Sequence, residues 1–340
     1  NQSLLDPGRR GELETAQGRK AQVARMLASP KAENGVRAFF TDFLQLDRVE
    51  DMSKDPLVYN RFTPALARDL KEQMLLTISD HVAQDKPYPQ LFTTRRTFLN
   101  RRLGTLYEAP VASTEGWEAY DIPVEQGRAG ILGHGACLAL FSHEGRSSPT
   151  LRGKAIREVL MCHPVPDPPA NVDFSGFNDT SNAVLKTARQ RLDRHNTDPV
   201  CTGCHFITDP LGLPLERFDG IGHARFDENG AAIDTTGLFE GSNYDGPAEL
   251  GRLMSESSTP SQCVVRRVAE YATGRTADKL SQSWVDSLFG AFKDNGYSYR
   301  ALLRYIAHSD EFYVVPASSG PEATVVSLKS SANVTMNKEH

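Results

Sequence analysis

The sequence predicts a mainly α-helical protein, and three features predict it. Apolar residues recur at helical spacing in both terminal thirds, helix-start signals stand just ahead of them, and only one short hairpin pattern lies between. Near the N-terminus a first helix is expected over Arg19–Ala28. Val36, Phe39, Phe40, Phe43 and Leu44 then fall at i, i+3, i+4, i+7 and i+8, which is one apolar helix face. Thr63-Pro64 pairs a cap with a first-turn proline and opens a helix through Leu66, Leu70, Met74, Ile78 and Val82. Asp85–Pro89 ends it. The stretch Asn1–Gly18 is polar and turn-rich, and Thr93–Gly133 has mixed periodicity that predicts no definite element.

The middle of the chain alternates breakers and helices. A loop at Ser142–Pro149 precedes a helix over Leu151–Cys162, and Pro164, Pro166, Pro168 and Pro169 then predict an extended, exposed, polyproline-like run. Ser181 is the expected cap of a helix through Val184, Leu185, Ala188 and Leu192. Phe226–Ile233 carries the hairpin signal, with Asn229-Gly230 as its turn. Three C-terminal helices follow: one through Val264, Val265, Val268 and Ala272, one through Trp284, Leu288 and Phe292, and one through Leu302, Leu303 and Ile306. Ala317–His340 lacks periodicity and reads as a weakly ordered tail. The expected organisation is a helical region at 1–120, a cofactor-binding domain at 121–240, a helical domain at 241–316 and the tail at 317–340.

Composition narrows the function. A net charge of −5 supplies no basic face for nucleic acid. No run approaches the roughly 20 apolar residues that a transmembrane helix needs. No export signal is visible either, although a mature chain has lost its signal.

Cys201-Thr202-Gly203-Cys204-His205 is the most specific motif. Cys-x-x-Cys-His is the attachment pattern of c-type haem: two thiols three positions apart reach the two vinyl groups on one porphyrin edge, and the adjacent imidazole falls under the iron. Chance predicts only about 0.002 such matches in a chain of this composition. A thioredoxin-like pair would want a strand before it and a helix after it, whereas Asp198-Pro199 precedes and Asp209-Pro210 follows. A zinc site would want a second ligand pair. The expectation is one covalent haem c on Cys201 and Cys204, with His205 as proximal ligand. Haem attachment of this kind places the protein outside the cytoplasm, periplasmic or extracellular. Candidates for the sixth ligand are His134, His143, His163, His195, His223, His308, Met161 and Met254, with Met254 favoured by its downstream position. Three cysteines remain. Cys162 and Cys263 each adjoin a predicted helix, and an oxidising compartment motivates a bridge between them, with Cys137 as a small buried hydrophobe; spacing alone does not establish the pairing.

Several stretches resemble the planctomycete-type secreted c-type cytochrome proteins, which join the domain-of-unknown-function series 1592, 1588 and 1585 around one Cys-x-x-Cys-His. Leu4-Leu5-Asp6, Gly11-Glu12-Leu13 and Val23–Pro30 look like the latter part of the first domain. Gly130-Ile131-Leu132, Ser147–Gly153, the proline run and Asn171-Val172 resemble the second, as do Asp209–Gly212 and Leu215–Gly222. Tyr271–Arg275 resembles the C-terminal domain. The resemblance implies an exported, mainly helical cytochrome and favours His143, just before Ser147-Ser148-Pro149, as distal ligand. It also implies that the chain opens inside a larger domain, so a companion chain carrying the N-terminal half is expected, to cover the face formed by Val23, Met26 and Leu27.

Electron transfer to a redox partner protein is the first functional expectation. The alternative is a haem enzyme with an open distal site, for which His143 and Arg146 form a candidate distal pair. A third is an accessory module of a larger complex. Asp219, Asp227, Asn229 and Asp234 suit calcium or ordinary turn chemistry equally well.

Overall fold

A computed structural model describes residues 2–167, 183–195 and 199–314. The architecture is mainly α: among the described residues thirteen α-helices carry the fold, and the sheets are three two-stranded antiparallel ribbons. The expected tail and the Ser181 cap lie outside the described residues, as do Pro168 and Pro169.

The first helices are α1 (Gln2–Arg9), α2 (Ala16–Leu27), α3 (Ala32–Phe43) and α4 (Pro64–Ala83). α1 corrects the turn-rich reading of the opening stretch; a Gln2–Asp6 side-chain bond of 2.6 Å spans one of its turns. α3 buries Val36, Phe39, Phe40 and Phe43, the stripe its spacing predicts. α4 starts as its signals require, with the Leu66 amide donating to Thr63 Oγ1 at 3.1 Å and Pro64 in the first turn.

Where periodicity predicted nothing, the chain forms a ribbon around a helix. β1 (Arg96–Leu99), α5 (Arg101–Tyr107) and β2 (Glu118–Asp121) follow α4, with Arg96 opposite Asp121 and Leu99 opposite Glu118. Four-residue strands are too short to show a clear alternation. A buried polar cluster fixes this block. Tyr107 Oη donates to Gln73 Oε1 at 2.8 Å, Gln73 Nε2 donates to Thr97 Oγ1 at 3.2 Å, and the Gly135 amide donates to Tyr107 Oη at 2.9 Å. Every member has a partner, which is the condition for such a cluster to stabilise rather than cost.

The central block is α6 (Gly135–Leu140), α7 (Pro149–Ala155) with a π-helical continuation over Ile156–Leu160, α8 (Ala188–His195) and α9 (Pro199–Gly212). α8 begins later than expected. Thr187 and Gln190 form a reciprocal cap: the Gln190 amide donates to Thr187 Oγ1 and the Thr187 amide to Gln190 Oε1. Val184 and Leu185 therefore precede the helix. β3 (Asp227–Glu228) and β4 (Ala231–Ala232) form the expected hairpin, with Asn229 and Gly230 both at positive φ. A second ribbon, β5 (Thr236–Phe239) with β6 (Ser242–Asp245), turns at Glu240-Gly241.

α10 (Gly246–Glu256), α11 (Ser258–Thr273), α12 (Gln282–Asp294) and α13 (Tyr299–His308) close the chain. The last three carry the predicted apolar stripes, except that Ala272 at the end of α11 is exposed. One continuous core joins both ends: the Phe39 ring meets Tyr271 and Tyr299 at 5.5 and 5.9 Å. α2 packs on α13, where Arg300 Nη2 donates to the Leu27 carbonyl at 3.1 Å and Arg19 lies over the Tyr313 ring at 5.3 Å. The helix thus finds a partner within its own chain, and only Met26 of its apolar face is largely exposed, so its packing does not demand a companion chain. The Cys162–Cys263 bridge is formed, with Cα atoms 5.3 Å apart, tying the end of the π-helical segment to α11.

Candidate functional site

The Cys201–His205 motif lies on α9, and helical geometry arranges it. Cys201, Cys204, His205, Thr208 and Asp209 fall at i, i+3, i+4, i+7 and i+8, so they share one face. Cys201, Thr208 and Asp209 are buried, Cys204 and His205 partly so, while Thr202, Gly203 and Phe206 on the other side are exposed. α7 presses against this face at backbone contact distance. A Cβ added to Gly153 would stand 1.9 Å from the Thr208 carbonyl oxygen, and one added to Gly212 would stand 1.7 Å from that of Pro149. Only glycine permits this approach.

The close packing brings Thr150 to Asp209. Asp209 Oδ1 accepts from the hydroxyls of Thr150 at 2.9 Å and Thr208 at 3.2 Å, while Oδ2 meets His205 Nδ1 at 2.8 Å. With Nδ1 committed to the carboxylate, Nε2 is the nitrogen through which this imidazole would bind a metal.

His205 and Cys204 open on a cavity of about 780 Å³, within the range of roughly 300–1,000 Å³ usual for cofactor sites. His143, from the loop after α6, lines the same cavity. Burial first, then the cations of Arg146 and Lys54, push its imidazole down to about 4, which leaves it neutral at pH 7. Its loop is held by buried Lys54, whose Nζ donates to the carbonyls of Ala139, Ser142 and His143 at 2.8, 3.3 and 3.1 Å. Desolvation lowers that lysine to about 8. Arg146, Lys154, Arg191 and Arg225 bring cationic side chains to the cavity wall, where the carboxylates of a bound porphyrin would find partners. Arg191 also pairs with Glu228 at 2.5 Å.

Behind the wall, Arg152 is fully buried. It donates to the carbonyls of Leu215 at 2.7 Å and Phe218 at 2.8 Å and lies 3.2 Å from Glu216 Oε1. Glu216 Oε2 accepts from Ser147 Oγ and Arg225 Nη2, both at 2.6 Å. This satisfied cluster locks α7 and the segment after α9 into one support.

The other ligand candidates separate by position. Met254 and Met161 are core residues and do not line the cavity; Met254 has no exposure at all. His134 is buried beside Thr97, with burial and then Arg128 holding it down to about 3. His223 lies 3.1 Å from Glu108, His308 is on α13, and His163 is exposed. The His195 side chain is outside the described residues. Of the acidic turn residues, Asp219 Oδ1 accepts from the Ile221 and His223 amides and Asp234 Oδ1 from Thr236, as turn chemistry requires. Among the described residues no three His, Cys, Asp or Glu side chains converge as a bare metal-ion site.

Asp209 is the residue that sequence reading passed over as part of the chain punctuation after the motif. Its signal was an acid four residues beyond the motif histidine, the spacing that places two side chains together on a helix.

The thiol pair and the imidazole share one helix face, and of the three Cys204 and His205 line the cofactor-sized cavity. Family models match in series along the chain: the proteins of unknown function DUF1592 over residues 1–109, DUF1588 over residues 128–228 and DUF1585 over residues 240–312. The chain belongs to the planctomycete-type cytochrome c domain series. No curated protein and no solved structure matches it. No helix among the described residues is long and apolar enough to cross a membrane.

Proposed function

We propose that this chain is an exported monohaem c-type cytochrome that passes single electrons to a partner protein. One observation carries the reading: the motif histidine and a second, neutral histidine from a distant loop line the same cavity, and Cys204 lines it with them. In this reading Cys201 and Cys204 hold the porphyrin edge, His205 is the proximal ligand and His143 the distal one. The bound haem supplies a one-electron iron couple. The chain's own residues do the rest. Asp209 orients the His205 ring, Lys54 holds the His143 loop, and the α7–α9 contact fixes the motif helix against it. A motif helix packed on α7 and a loop gripped by Lys54 would hold His205 and His143 in place around the cofactor, which suits a carrier.

Intact mass measured after denaturation should show one haem retained by the protein exported from its host. Cys201→Ala or Cys204→Ala should leave at most one thioether and weaken retention. His143→Ala should convert the low-spin spectrum of the oxidised protein to a high-spin one. An apo mass would remove the haem reading, and an unchanged His143→Ala spectrum would remove the distal assignment.

A haem enzyme is the second reading. It is favoured by His143 and Arg146 sharing one cavity wall, as an exchangeable ligand beside a cation would. Cyanide binding to the oxidised parent protein, without any substitution, separates the two: rapid binding favours the enzyme and refusal favours the carrier.

A further inference from the structure

Asp209 has no exposed role: its side chain is buried, and both carboxylate oxygens are engaged within the site. An Nδ1–H that donates to a carboxylate leaves more electron density on the imidazole than one that donates to a neutral carbonyl, and a more electron-rich axial ligand favours the ferric iron. The two oxygens divide the work. Oδ2 takes the His205 bond, while Oδ1 is drawn on by the Thr150 hydroxyl at 2.9 Å, which spreads the carboxylate charge and moderates its pull on the imidazole; the Thr208 hydroxyl divides its one hydrogen between Oδ1 and the nearer Cys204 carbonyl.

We propose that Asp209 is a positioning residue that lowers the reduction potential of the cofactor through His205, and that Thr150, reaching across from α7, sets how far. This rests on the haem reading above. It makes the approach of α7, permitted by Gly153 and Gly212, part of the electronic setting of the site as well as its packing.

Opposite signs separate this role from a structural one. In Asp209→Asn the imidazole keeps a hydrogen-bond acceptor of the same size but loses the charge, so the potential should rise. The expected shift is about tenfold in the reduced-to-oxidised ratio at fixed potential, or about 59 mV for one electron. In Thr150→Val the carboxylate loses one donor and pulls harder on Nδ1–H, so the potential should fall by a smaller amount. Spectroelectrochemical titration of the full-length, haem-loaded proteins reads both. Shifts of opposite sign support the proposal; equal potentials, or shifts in the same direction, overturn it. If Asp209→Asn yields no folded holoprotein, Thr150→Val decides alone: a fall supports, and no change or a rise overturns. A parent protein without covalent haem would overturn the haem reading itself, and this inference with it, a result that the mass measurement distinguishes from every outcome above.

Discussion

At the scale of single residues, His134 carries a cost that appears only in acid. It is buried against Arg128, and its Nδ1 has no hydrogen-bond partner among the described residues. The folded chain holds it at about 3, against 6.5 for the free side chain, so between those values the unfolded chain binds a proton that the folded chain refuses. Stability from this group is full above pH 6.5 and falls as the pH drops towards 3, by up to about 1.4 kcal/mol per pH unit. Denaturant midpoints across that range should decline less steeply in His134→Leu than in the parent, and equal slopes would rule the effect out. Residues of this kind differ in how openly the sequence declares them. Cys201, Cys204 and His205 are legible because the attachment proposed for them would require this spacing in the chain. His143 was one of eight candidates, because what brings it to the cavity is the three-carbonyl grip of Lys54, a contact between distant parts of the chain. Asp209 is inconspicuous in the sequence, since its meaning depends on the helix continuing past the motif to Gly212.

Among elements, the pairing of α7 with α9 matters most to the site. Gly153→Ala would drive a methyl group into the Thr208 carbonyl, and backbone on both sides leaves nothing flexible to yield. A loss of about 3 kcal/mol is expected. Thermal unfolding should show it as a midpoint lower by roughly 4–5 °C. A midpoint within a degree of the parent would mean that the helices can separate at little cost. Helices with a broad apolar stripe, α3, α4 and α11–α13, could be read from the sequence because one side faces core and the other water. The four-residue strands β1 and β2 could not, and neither could the start of α8, which a Thr187–Gln190 cap sets rather than the more conspicuous Ser181. The β5–β6 turn at Glu240-Gly241 was missed for a simpler reason: Asn-Gly announces a tight turn, and Glu-Gly does so weakly.

For the whole molecule, the Cys162–Cys263 bridge closes a loop with a sequence separation of 101 residues that contains the entire motif helix. In the chain-entropy model a loop of this length stabilises by about 4.7 kcal/mol. The double substitution Cys162→Ala with Cys263→Ala should lower the urea midpoint accordingly, and an unchanged midpoint would show that the denatured chain is already held close. The continuous core has a further consequence in time. The Leu27 carbonyl meets Arg300 across 273 residues, and Phe39 rests on Tyr271 and Tyr299. At about 5–20 residues per second, a ribosome needs roughly 15–55 s to make that intervening length. For that interval the aromatic face of α3 and the inner side of α2 exist without their covers. The nascent protein therefore carries uncovered apolar surface until nearly the last helix has been made.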